Sequence, residues 1–108
     1  MQAVPLRINP GEELRQALES AVAAHNCEAA FVISGIGSLA AAQLRLAGAT
    51  QTKALQGDLE ILTLAGTICA DGSHLHMRVG CARSCNRWSR RARLHRAHHG
   101  RSPSGFDA

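Results

Sequence analysis

Residues 57–79 read GDLEILTLAGTICADGSHLHMRV, and the periodicity of that stretch decides the fold class. Leu59 to Ile68 is the longest strand signal in the chain, carried by Ile61, Leu62, Leu64 and Ile68. Asp71-Gly72 reads as a turn. From His74 to Val79 the residues run His-Leu-His-Met-Arg-Val. Side chains of a strand point alternately to its two faces, so this order gives one polar face and one apolar face.

Working upstream, Gly57-Asp58 reads as a hairpin turn and Lys53 to Gln56 as a short strand. Ala49 to Thr52 is a turn, and Gln43 to Ala47 alternates as a strand. Ser34-Gly35-Ile36-Gly37-Ser38 is a tight glycine loop, and Ala29 to Ile33 reads as a buried strand with β-branched Val32 and Ile33. Leu14, Ala17, Leu18, Ala21 and Val22 recur at helical spacing, with Glu13, Arg15, Gln16, Glu19 and Ser20 off the stripe. Asn9-Pro10-Gly11-Glu12 is the expected helix start, Asn as cap, Pro at the first helical position and Glu completing a capping box. His25-Asn26 is the expected end, and Val4 to Ile8 alternates as a first strand. One helix among several strands makes the fold class α+β.

Downstream the pattern stops. Leu94 is the only Leu, Ile or Val of residues 80–108. Such a segment buries too little apolar surface to offset its ordering entropy, so disorder is expected there, and the domain is bounded at residues 1–79. Charge divides at the same place. Residues 1–79 hold five Lys/Arg and seven Asp/Glu, a net −2, whereas residues 80–108 hold seven Arg and one Asp, a net +6. The hydrophobic fraction of 45% is ordinary for a globular domain, but with Phe31, Phe106 and Trp88 as the only aromatics the core must be aliphatic. No apolar run approaches the ~20 residues of a membrane span, and the N-terminus lacks a secretion signal. A cytoplasmic protein with no membrane partner is the expectation. Cys27 and Cys69 are then expected as small buried apolar residues rather than a disulfide.

Pro10-Gly11-Glu12, the Ser34–Ser38 loop, Gly57-Asp58-Leu59-Glu60-Ile61-Leu62, Gly66-Thr67 and Asp71-Gly72-Ser73-His74-Leu75-His76 come in a characteristic order. Over about residues 5–79 the chain resembles the plant-and-prokaryote-conserved (PPC) domain family. The resemblance implies a curved, largely antiparallel sheet packed on one main helix, a homo-oligomer, usually a trimer, and association with DNA-binding proteins. It also implies a final Gly-Gly-His segment and a Thr- and Val-rich strand, which are missing here or replaced. Read out of phase, codons permitted by residues 80–108 can spell such a segment. The basic stretch is therefore open to explanation as a frameshift product, and the chain as a truncated product without function.

His74 and His76, two apart on a strand, point to one face. Two imidazoles so placed can share zinc or another divalent transition metal. The resemblance implies a three-histidine site, and the third histidine is absent from the sequence, so a plain polar strand face is the simpler reading. Arg87, Arg90, Arg91, Arg93 and Arg96 can neutralise phosphates and so bind nucleic acid. Cys81, Cys85, His95 and His99 approximate zinc-finger spacing, but the middle spacer is short and no finger core accompanies them. The Gly35/Gly37 loop is better read as a connection needing positive φ than as an anion cradle. Ser34 and Ser38 have no companion base, so catalysis is not expected. The leading expectation is a non-enzymatic oligomerising module in DNA-associated regulation, with a metal site as the alternative.

Overall fold

In the computed structural model the residues described are 2–81 and 90–99, Cys81 and residues 90–99 by their backbone alone. The helix α1 spans Leu14–Ala24, followed by strands β1 (Ala29–Phe31), β2 (Gly37–Leu46), β3 (Lys53–Cys69), β4 (Gly72–Cys81) and β5 (Arg90–His99). All the strand pairings are antiparallel. Strand β3 pairs with β2 and with β4, and β5 pairs with both of those, so the curved sheet runs round from β3 through β2 and β5 to β4 and back. The short β1 extends the sheet beside the C-terminal half of β3. This is the expected α+β architecture of one helix on a curved antiparallel sheet.

Alternation does the folding work. On β4, Ser73, Leu75, Met77 and Val79 are buried while His74, His76 and Arg78 are exposed. Leu59, Ile61, Leu64 and Ile68 of β3 and Leu39, Ala42 and Leu44 of β2 face the same core. Leu14 of α1 is buried among them, with Leu18 and Val22 packed alongside at helical spacing.

Several expectations are corrected. The helix begins at Leu14 with Glu13 as its cap, its side chain accepting from the Gln16 N–H. Asn9 to Glu12 is instead a separate turn, closed by the Glu12 N–H on the Asn9 carbonyl at 3.1 Å, and Gly11 takes φ 89°. Proline followed by a positive-φ glycine suits a type II turn and stops a helix from starting there. The alternating Val4 to Ile8 is not a strand, because none of it is laddered to the sheet; it runs along the wall of a groove. Strand β1 is short and largely exposed rather than buried, since it lies beyond the reach of β2 on the edge of β3.

The expected hairpin at Gly57-Asp58 is absent. Residues 53–69 are a single strand whose register against β2 passes from Leu39–Leu59 to Ala41–Gln56, leaving one extra residue on β3. Gly57, at φ 113°, accommodates this β-bulge. Cys27 and Cys69 are exposed free thiols, because the chain reaches them at the ends of elements rather than at core positions. Residue 79 is not the end of order either. Strand β4 continues to Cys81, and the backbone of residues 90–99, expected to be disordered, fills the slot between β2 and β4. Backbone ladder bonds are available to any non-proline sequence, so a strand poor in aliphatic residues can complete a sheet whose edges are already in place.

Candidate functional site

Three features are candidates for a site, two of them polar and one apolar. The first is the outer face of β4, where His74 and His76 are both exposed, as their two-residue spacing requires. Their register partners on β3 are Thr67 and Ala65, neither of which supplies a strong metal ligand. Among the described residues no group of three His, Cys, Asp or Glu side chains could hold a metal ion. The pair alone therefore does not fit a metal centre of ordinary ligand number.

Behind His74 the sheet is unusually close. Gly66, at φ 141°, lies so near the His74 main chain that a side chain at 66 has no room. Beside it, Ser73 is 1% exposed, and its hydroxyl donates to Glu19 Oε1 at 2.6 Å. Arg15 Nη2 donates to the Ser73 carbonyl, while Arg15 Nε approaches Glu19 Oε1 at 3.4 Å. This Arg15–Glu19–Ser73 cluster ties α1 to the start of β4. Glu19 takes both the Ser73 hydroxyl and Arg15, and Arg15 also holds the Ser73 main chain, which is the signature of docking rather than of a nucleophile awaiting substrate.

The second feature is basic. By register, Arg93 stands between Arg45 of β2 and His76 of β4, Arg91 stands opposite Arg78, and Arg96 opposite Gln43. Arg45, Gln43, His76 and Arg78 are exposed. Arg90 stands opposite the buried Val79 instead. The fifth candidate, Arg87, lies outside the described residues, as does Cys85 of the finger-like spacing. Sequence reading had missed Arg45 and Arg78, because two isolated arginines some thirty residues apart become neighbours of the basic stretch only through the register.

The third feature is an apolar groove of about 970 Å³ between the Val4–Ile8 segment, α1 and the strand–loop stretch 29–37. Phe31, Ile33 and Ile36 on its wall are 56%, 69% and 85% exposed, and Val4 and Leu6 are also exposed. The glycine loop here serves packing. Gly37 takes φ 149° at the start of β2, and Gly35 lies against Leu64.

The family model of the Plants and Prokaryotes Conserved (PCC) domain matches residues 1–87. A bifunctional protein GlmU from Synechococcus sp. (strain JA-2-3B'a(2-13)) is 46% identical over 83 residues, which is 77% of this chain and 13% of that protein. The chain thus spans only a small part of that relative's length. A presumed DNA-binding protein of Bacteroides thetaiotaomicron has a similar structure, with TM-score 0.71 and 26% identity, covering 86% of this chain and 67% of the other. The metal-containing protein AF0104 of Archaeoglobus fulgidus is similar at TM-score 0.74 and 25% identity, covering 88% and 70%.

Proposed function

The chain belongs to the Plants and Prokaryotes Conserved domain family, and from that premise we propose that it is a non-enzymatic, self-associating module acting in DNA-associated regulation. The observation that carries the self-association is the exposed apolar wall of Phe31, Ile33 and Ile36, continued by Val4 and Leu6. Isolated apolar residues on a surface are ordinary, but contiguous ones in a groove mark an interface. The DNA association draws on the likeness to the Bacteroides protein and on the arginines that the register aligns. Light scattering of the full chain tests the first half of this reading. A homo-oligomer, a trimer by analogy with the family, is expected, and a monomer at all concentrations would overturn it.

A second reading places a divalent metal on His74 and His76. Their common exposed face and the likeness to the metal-containing Archaeoglobus protein favour it. It needs a third ligand from outside the described residues or from another copy of the chain.

A third reading takes the chain as a truncated, frameshifted product. The family match runs to residue 87, past the break near residue 79 at which that reading puts the frameshift. The pairing of β5 with both β2 and β4 counts against it, because the open sheet edge expected of a truncated domain is covered. The nucleotide sequence across codons 70–108 tests it: an open shifted frame encoding a Gly-Gly-His strand supports the accident, and a closed one removes it.

A further inference from the structure

Strands β2, β5 and β4 lie side by side, and together they hold six Arg, five His and no Asp or Glu. The acids lie elsewhere: Glu12, Glu13 and Glu19 on or before α1, Glu28 before β1, Asp58 and Glu60 on β3, Asp71 in the following turn, and Asp107, which is outside the described residues. Sequence position alone suggests a basic tail. The register instead builds a two-dimensional patch, with Arg45, Arg93 and His76 in one row across three strands and Arg78 beside Arg91 in the next.

We infer that this β2–β5–β4 face binds the phosphate backbone of duplex DNA without regard to sequence, centred on Arg45 and Arg78 and completed at register positions 91, 93 and 96. The inference rests on the DNA-associated reading above and names the surface and the chemistry it would use. Neighbouring strands lie about 4.8 Å apart, so the row from β2 to β4 is about 10 Å wide. Duplex DNA carries a charge for every ~1.7 Å of its axis, so a patch of that width meets several phosphates at once. Guanidinium groups suit phosphate oxygens because their planar fork donates in pairs. An anionic membrane is the poorer match. Surface-binding elements join cations to apolar anchors, whereas the described outer residues of β4 here, His74, His76 and Arg78, are all polar.

The test is fluorescence anisotropy of a labelled DNA duplex of arbitrary sequence with the full chain, between about 50 and 200 mM salt. Five arginine contacts predict a log–log slope of about −4.5. Arg45→Ala with Arg78→Ala should reduce the slope by about 2, and Arg45→Lys with Arg78→Lys should keep it, which separates lost charge from lost fold. Unrelated duplex sequences should bind equally. If wild-type chain binds and the double alanine variant keeps the full slope, the arginines act as a tail and the assigned face is wrong, while the DNA-associated reading survives. If wild-type chain shows no salt-dependent binding at about 50 mM salt, both fail. Tighter binding to phosphatidylserine vesicles than to DNA would also overturn the assignment.

Discussion

Gly66 and His74 are in such close apposition that a Cβ on Gly66 would collide with the His74 carbonyl oxygen and sit 2.9 Å from Leu75 Cα. The obstacle is backbone on both counts, so no rotamer change can relieve it. Gly66 also takes φ 141°, a conformation that residues with a side chain rarely adopt. Gly66→Ala is therefore expected to destabilise by at least about 2 kcal/mol, the sum of backbone strain and overpacking. Urea unfolding measures it through a lower midpoint.

Gly35→Ala should cost less, about 1 kcal/mol. Its Cβ would meet the Leu64 side chain, with Cδ2 at 2.8 Å and Cβ at 3.2 Å. The end of a leucine can turn away, and Gly35 has no positive φ to lose. The same unfolding measurement should rank the two variants, and a Gly35→Ala cost equal to that of Gly66→Ala would contradict the distinction between side-chain and backbone obstruction.

Ser73 makes the docking of α1 on β4 directional. Its hydroxyl is buried and bonded to Glu19, which Arg15 also approaches. Ser73→Ala leaves that carboxylate with one donor fewer, at a cost of about 1–3 kcal/mol for a hydrogen bond to a charged group. A double-mutant cycle with Glu19→Gln should return a coupling energy of at least about 0.5 kcal/mol, since the two residues touch. Additive effects would mean the bond contributes nothing to stability.

Much of this architecture is legible because two periodicities are clean. Leu14, Leu18 and Val22 mark the helix, and His74 to Val79 marks β4 down to which residues are buried. The failures have physical causes. Gly57-Asp58 has the composition of a hairpin turn, but a positive-φ glycine serves a bulge equally well, and only pairing on both sides of it decides between them. Val4 to Ile8 alternates as a strand would, yet alternation states which side chains prefer burial and not whether a ladder partner exists. Strand β5 was hidden because RRARLHRAHH holds only three apolar residues, Ala92, Leu94 and Ala97, and a register shift at residue 95 breaks their alternation, its place being set by the edges of β2 and β4. The histidine pair was visible for the opposite reason: two residues on one strand need no tertiary information to share a face.

The histidine pair carries a prediction of its own. Two imidazoles without a third ligand fall short of the tetrahedral set that holds zinc firmly. Chain equilibrated with zinc and then desalted should retain well under one equivalent by elemental analysis. Retention of a full equivalent that His76→Ala abolishes would instead establish the metal reading and require a third ligand outside the described residues.

Ile33 and Ile36 offer the sharpest separation between a surface that merely exposes apolar atoms and one that another copy covers. Both are largely exposed and lie outside the buried core cluster. In an isolated domain, polar substitutions at such sites change stability by no more than about 0.5 kcal/mol. In an assembly they would place charges in a desolvated contact. Ile33→Asp with Ile36→Asp is therefore expected to yield a monomer by light scattering while circular dichroism keeps its native form. Mass action adds a second readout. The Tm of wild-type chain should rise with protein concentration, because association stabilises only the folded state, and that of the variant should not. A variant that stays oligomeric with the same concentration dependence would show that this wall faces solvent in the assembly and that the contact lies elsewhere.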